Sequence, residues 1–256
     1  MDVGSIKPKY LRDFRDIECL PLPAGSFKST YFSNAYSAFL NQCTLTSVKW
    51  SEAQIADHLN KHGKLSDHDR AAPFCSPPAK PDMDRFKTRP EPAKIIKRLA
   101  LIIAERSLSP YDLEVANKAL IGEDWQPKER FTHIYNRKDG HLLLTPDPKH
   151  IPSLMRLLCR QVNSAETKDP SSALIAFANT MMIHPFRDGN GRLSRTLLNA
   201  MLYNHHHPIL ISGAMSYFYD SMLIGALRFS NRTDPDLRPL DWTLGRMVEV
   251  LGHIVA

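Results

Sequence analysis

Residues 171–195 read Ser171-Ser-Ala-Leu-Ile-Ala-Phe-Ala-Asn-Thr-Met-Met-Ile-His184-Pro-Phe-Arg-Asp-Gly-Asn-Gly-Arg-Leu-Ser-Arg195. The stretch up to Ile183 is apolar on nearly every face, which suits a helix buried in the middle of a bundle. Asp169 or Ser171 can cap it, and Pro170 fits its first turn. The residue before a proline is pushed out of helical geometry, so this helix should stop at about His184 and leave the imidazole at a rigid helix end. Gly189, Asn190 and Gly191 follow, and glycine here allows positive φ and lets backbone N–H groups converge on an anion. A second helix should begin there and run to about Tyr203, aiming its positive end at the same spot. Arg192 and Arg195 lie three apart and share a face, and two guanidiniums beside a helix N-terminus suit a polyphosphate better than a single carboxylate. Asp188 could hold a hard cation through oxygen, as Mg²⁺ bridging protein and phosphate usually is held. A histidine at a helix end is most often structural and Gly-Asn-Gly is often only a turn. Their conjunction in one short run points to a nucleotide triphosphate.

Outward from this run, helices are expected at Tyr31–Cys43 and Ser51–Lys61, where Ser51-Glu-Ala-Gln54 matches a capping box. Six prolines between Pro73 and Pro92 read as an extended linker. Helices resume at Ala93–Glu105 and Pro110–Ile121. Lys138-Asp139-Gly140 is a turn signal between two strand-like runs, Phe131–Tyr135 and His141–Thr145. The fold expected is all-α with one small β-hairpin, organised as an N-terminal helical extension (1–72), the proline-rich linker (73–92) and a main helical domain (93–256).

The run from His184 to Arg195 resembles the signature of the Fic family, His-Pro-Phe-x-(Asp/Glu)-Gly-Asn-Gly-Arg-x-x-Arg, with every specified position matched. Phe131-Thr-His-Ile-Tyr-Asn-Arg-Lys-Asp-Gly-His-Leu-Leu-Leu-Thr145 resembles the family's flap hairpin, and 146–155 the segment leading from it; the resemblance covers roughly 95–250. It implies transfer of AMP from ATP to a protein hydroxyl, with Mg²⁺ as cofactor. His184 would be the general base, Asp188 the Mg²⁺ ligand, and Gly189, Asn190 and Gly191 the phosphate cradle, with the Asn190 side chain taking part. Arg192 would hold the β-phosphate and Arg195 the γ-phosphate, while Phe186 would anchor the loop in the core. Residues 216–223 resemble the segment lining the adenine pocket, with Tyr219 the candidate for contact with the base. The flap at 131–145 would pair with the target's backbone as an added strand.

Many Fic proteins carry an inhibitory helix, Ser/Thr-x-x-x-Glu-Gly/Asn. No glutamate here falls in that pattern, and the nearest approach, Ser29-Thr-Tyr-Phe-Ser-Asn34, has Ser33 in its place. The chain is therefore expected to be unrestrained or held by a separate antitoxin-like protein, and the missing glutamate argues against AMP removal. If residues 29–34 form that helix, Ser33→Glu should suppress transfer, measured as adduct formed per unit time.

Composition excludes other classes. No apolar run reaches membrane-spanning length and the N-terminus lacks a secretory apolar region, so a cytoplasmic protein, or an effector exported without a classical signal, is expected. The four cysteines are far apart with no CxxC pair, so neither zinc nor a disulfide frame is indicated. With 33 basic and 27 acidic residues the net charge is +6, enough to draw in ATP or an acidic partner. No nucleic-acid-binding signature accompanies it, which makes nucleic acid an unfavoured partner. His205-His206-His207 point in different directions on a helix and cannot share one ion. Other readings keep the fold but transfer UMP or phosphocholine, or make the chain a non-catalytic nucleotide- or partner-binding module. Phosphate transfer is disfavoured by Gly191, where that branch has lysine.

Overall fold

The computed structural model describes residues 10–45, 92–122, 129, 132–136, 140–164, 170–202 and, between 237 and 249, residues 237, 238, 240–242, 244, 245, 248 and 249. In chain order these form β1 (Tyr10–Asp13), α1 (Tyr31–Leu45), α2 (Pro92–Glu105), α3 (Pro110–Ile121), β2 (His133–Asn136), β3 (His141–Leu144), a 3₁₀ turn (Pro148–His150), α4 (Ile151–Ser164), α5 (Pro170–Ile183) and α6 (Asn190–Met201). The architecture is mainly helical, as the periodicity predicts.

Its axis is α5. Every residue from Ala173 to Ile183 is buried, so α5 has no polar face to offer water and must be covered on all sides. α1, α4 and α6 pack against it. On α4, Leu154, Met155, Leu158, Cys159 and Val162 form one buried stripe, and burial of Leu154 and Leu158 stabilises by about 1.5–3 kcal/mol each. α6 is held in turn by α2, α3 and α5.

The start of α5 departs from expectation. Ser171 is inside the helix and its hydroxyl accepts from Ser29 N–H at 2.7 Å, fastening the N-terminal segment; Asp169 lies outside the described residues. A second fastening is polar and buried. Asn179 of α5 accepts from Leu22 N–H at 2.9 Å and donates to Leu22 C=O at 2.8 Å, and Gln161 of α4 donates to the same carbonyl. A third comes from the far end of the chain. The buried Asp241 carboxylate accepts from Ser29 Oγ at 2.5 Å and from Tyr31 and Phe32 N–H at 3.1 Å each, closing the first turn of α1, whose N–H groups have no partner within the helix. The segment from Phe14 to Leu40 thus shares one core with the helices that follow. The expected linker and the helix at Ser51–Lys61 fall outside the described residues.

The hairpin forms, and a third strand joins it. The sheet order is β1-β3-β2. β2 and β3 are antiparallel, with Ile134 opposite Leu143, and Thr132 and Thr145 close the open end, Thr145 N–H donating to Thr132 C=O at 3.0 Å. β1 lies parallel on the other edge of β3, Arg12 opposite Leu143. Leu142, Leu143 and Leu144 are all buried. No helix among the described residues is long and apolar enough to cross a membrane.

α3 starts on a capping box. Ser109 caps, Pro110 follows, and Asp112 accepts from Ser109 N–H at 3.0 Å and from Arg106 Nη2 at 2.6 Å. Burial opposes ionisation of Asp112, but the hydrogen bonds from Ser109 and Arg106, with the arginine's charge, outweigh it and hold the carboxyl below the usual carboxylate range. A depressed folded-state pKa contributes stability above the unfolded value and loses it as pH falls through the folded one. Asp112→Ala should therefore lower unfolding free energy by about 1–2 kcal/mol at neutral pH, with the gap closing below about pH 4, as read in urea titrations at several pH values. Asp241→Ala should remove about 2–3 kcal/mol, because it takes the acceptor from the buried Ser29 hydroxyl and Phe32 N–H and from the half-buried Tyr31 N–H.

Candidate functional site

α5 ends at Ile183, and His184 turns into the left-handed region at φ 49° with its N–H still bonded to Thr180 C=O at 3.1 Å. A non-glycine residue at positive φ is strained and stays there only because its surroundings over-determine it. Pro185 blocks the helical alternative, and buried Phe186 is anchored in the core. The half-buried imidazole is set by a rigid helix end, as the sequence suggests.

Asn190, 2 % exposed, does something its neighbours do not reveal. Its Oδ1 accepts from Phe186 N–H at 2.9 Å and its Nδ2 donates to Phe186 C=O at 2.7 Å. The side chain thus replaces a backbone partner and closes the loop 186–190. Expected as a phosphate contact, it stands here as the brace of the loop.

Asp188 points outward, its side chain 66 % exposed. One carboxylate oxygen accepts from Gly189 N–H at 2.6 Å, and the other from Arg192 Nη2 at 3.0 Å. Arg192, only 16 % exposed, also donates from Nη1 to the Leu120 carbonyl at 3.0 Å. The expected anion binder and the expected cation ligand are thus paired with each other. Gly189 precedes α6 at φ 79°, and a Cβ there would lie 2.4 Å from Ile121 Cδ1 and 2.7 Å from Asn117 Nδ2. The positive φ favours glycine, and a Cβ would also oblige the Ile121 and Asn117 side chains to shift. Gly191 and Arg195 are half-buried on the first two turns of α6.

No group of three or more His, Cys, Asp or Glu capable of holding a metal occurs among the described residues. Asp188 is a single exposed oxygen donor, which fits Mg²⁺ arriving on a polyphosphate with its own waters and does not fit an all-protein cage. Tyr219 and residues 216–223 fall outside the described residues. Ser33 stands in the first turn of α1 with its hydroxyl 3.1 Å from Ser29 Oγ.

The C-terminal turn of α3 is the part of the site that sequence reading missed. Leu113, Ala116, Leu120 and Ile121 make an apolar stripe, and Asn117 lies in it, fully buried. A polar residue inside an apolar stripe is the one signal that could have been noticed. Cys159 carries no such role: burial, with the Asp112 charge, pushes its thiol up to about 12, far from a reactive thiolate.

Residues 107–202 match the family model described as the Fic/DOC family. This segment is a Fic domain. It spans less than the 95–250 expected from the resemblance. A probable protein adenylyltransferase of Aquifex aeolicus is 41 % identical over 58 residues, 22 % of this chain and 18 % of that protein. The match therefore spans about a fifth of that relative's length. A Fic domain containing signaling protein from Bacteroides thetaiotaomicron superposes with a TM-score of 0.54 at 18 % identity, covering 88 % of this chain and 97 % of that one. A Fic family protein from Desulfovibrio desulfuricans also gives 0.54, at 14 % identity, covering 90 % and 75 %. At these identities the likeness concerns the fold, which extends beyond the Fic domain into the N-terminal segment.

Gly189→Ala should lower the melting temperature, because the new Cβ adds displacement of Ile121 and Asn117 to the cost of a positive φ. Gly122→Ala, at φ 83° and ψ −145° with nothing within 4 Å of the new Cβ, should show only the conformational penalty of a region that is essentially glycine's own, about 1–3 kcal/mol. Thermal unfolding compares the two.

Proposed function

We propose that the chain is a protein adenylyltransferase that moves AMP from ATP to a Ser, Thr or Tyr hydroxyl of a target protein and releases pyrophosphate. The observation that carries this reading is His184 pinned at the end of α5 beside the Asp188–Arg192 pair at the start of α6. His184 would accept the proton of the target hydroxyl. The freed oxygen would attack the α-phosphorus, and the bond from that phosphorus to the β-bridging oxygen would break. A neutral imidazole near pH 7 suits the task.

Asp188 would hold Mg²⁺, which when bound neutralises charge on the phosphates. The ion pair with Arg192 would then open, leaving the guanidinium for the β-phosphate, with Arg195 three residues on for the γ-phosphate. Backbone N–H groups of Asn190 and Gly191 would face the phosphates and stabilise charge developing during transfer, with Gly189, whose N–H is held by Asp188, supplying the turn that presents them. Asn190's side chain contributes indirectly, by keeping that loop closed. Tyr219 remains the candidate for the adenine.

The target would dock on the flap. One edge of β3 is taken by β1 and the other by β2, so an extended target segment would add along the outer edge of β2, paired through backbone. The Fic domain's likeness to the Aquifex relative supports this function at the level of the family; restraint by a separate antitoxin-like protein is part of the proposal.

The purified chain incubated with Mg²⁺, ATP and bacterial or host-cell lysate should yield adenylate adducts detectable by mass spectrometry. His184→Ala should lower adduct formation by about 10²–10⁴-fold while ATP still binds. Unchanged labelling in that variant, or adducts formed only with UTP or a phosphocholine donor, would sink the assignment.

A further inference from the structure

We propose that the C-terminal turn of α3 is a clamp on the nucleotide loop, in which Asn117 is a positioning residue for Asp188 and Gly189. The inference rests on the reading of the 184–195 loop as a nucleotide site and adds a residue outside that run.

Three contacts converge on one helical turn. Asn117 Nδ2 donates to the Asp188 carbonyl at 3.3 Å. Gly189 packs its Cα where a Cβ would strike both Asn117 and Ile121. Arg192 donates to the Leu120 carbonyl at 3.0 Å, one of the carbonyls at a helix C-terminus that lack an intrahelical partner and carry the negative end of the helix dipole. The backbone of the cation-ligand residue, the left-handed glycine and the phosphate-facing arginine are therefore all referenced to residues 117–121.

The chemistry of Asn117 favours a role in setting geometry over one in stability. Its amide is fully buried on an otherwise apolar stripe, where a leucine would pack without the desolvation penalty of a polar group. What the amide supplies and leucine cannot is a donor to the peptide linking Asp188 to Gly189. That peptide sets the direction of the Asp188 carboxylate, since the adjoining Gly189 N–H bonds to it at 2.6 Å. If the peptide rotates, the carboxylate, the N–H and the start of α6 move together. Residues that orient a metal ligand without touching the metal typically alter metal affinity by about 10–100-fold.

The test uses the full chain with Asn117→Leu, which keeps the branched shape and removes the donor, and Leu113→Ala, which opens a cavity on the same helix and leaves the donor. In nucleotide-free protein, hydrogen exchange of the Gly189–Leu193 amides should quicken at least tenfold in Asn117→Leu, with 173–183 unchanged. Leu113→Ala should lower the melting temperature without that local effect. The Mg²⁺ concentration at half-maximal ATP binding, read by calorimetry, should rise about tenfold in Asn117→Leu, and ATP binding in EDTA should not change. Wild-type exchange at Gly189–Leu193 in Asn117→Leu would overturn the clamp, and because it is read without nucleotide it does so whatever the substrate proves to be. Should Asn117→Leu not fold, the unmodified chain decides. Mg²⁺ and ATP should protect 118–122 together with 186–195, and protection of 186–195 alone would equally overturn the proposal.

Discussion

The fold depends on one constraint, the burial of α5 on every side. A helix without a polar face cannot lie on a surface, so the other elements are arranged as its cover. The same constraint makes the site possible. A helix fixed along its whole length delivers its last residue to a defined point, and Pro185 ensures that the chain leaves there. His184 can then hold an unfavourable φ, because packing of α5 on one side and anchoring of Phe186 on the other leave no relaxed alternative.

Between His184 and α6 the loop is organised by polar groups acting as backbone. Asn190 brackets Phe186 from both its N–H and C=O sides, and Asp188 bonds its own neighbour and Arg192. Before any ligand arrives, opposite charges meet and the loop already has its shape. The bonds of Asn190 fix the backbone of the loop in advance, whereas the Asp188–Arg192 pair is a contact that the proposed chemistry would have to open. The Asp188–Arg192 pair is at the surface on the aspartate side and contributes little stability there. Its value lies in keeping the guanidinium extended along α6 toward Leu120.

Much of this was legible in the chain. Apolar continuity from Ala173 to Ile183 marked the buried helix, Pro185 its end, and Pro110 to Ile121 emerged with the bounds its cap and Gly122 imply. What was not legible is long-range. Tyr10-Leu-Arg-Asp13 is too short to show a period, and parallel pairing with β3 depends on residues more than a hundred positions away. Asp241 looks like an ordinary acidic residue, yet its carboxylate caps α1, some two hundred positions earlier. Ser171 reads as a cap by type and position but serves Ser29 instead. Asn190 has the same difficulty within the motif: residue type says that it can bind an anion, and only the folded loop shows both ends of its amide engaged with the backbone.

The bond between Ser29 and Asp241 spans 212 positions, and it carries a consequence for how the molecule comes into being. During synthesis α1 emerges early, with the first-turn N–H groups of Tyr31 and Phe32 lacking the carboxylate that will receive them. β1 must likewise wait for the hairpin that pairs with it. The loop from His184 to Asn190 lies between these early and late segments, next to helices that both of them contact in the folded molecule. A ribosome-bound chain that has passed Arg195 thus holds every residue of the motif without the frame that orients it. The slow closure of such distant contacts separates in time the presence of the motif from the formation of its frame.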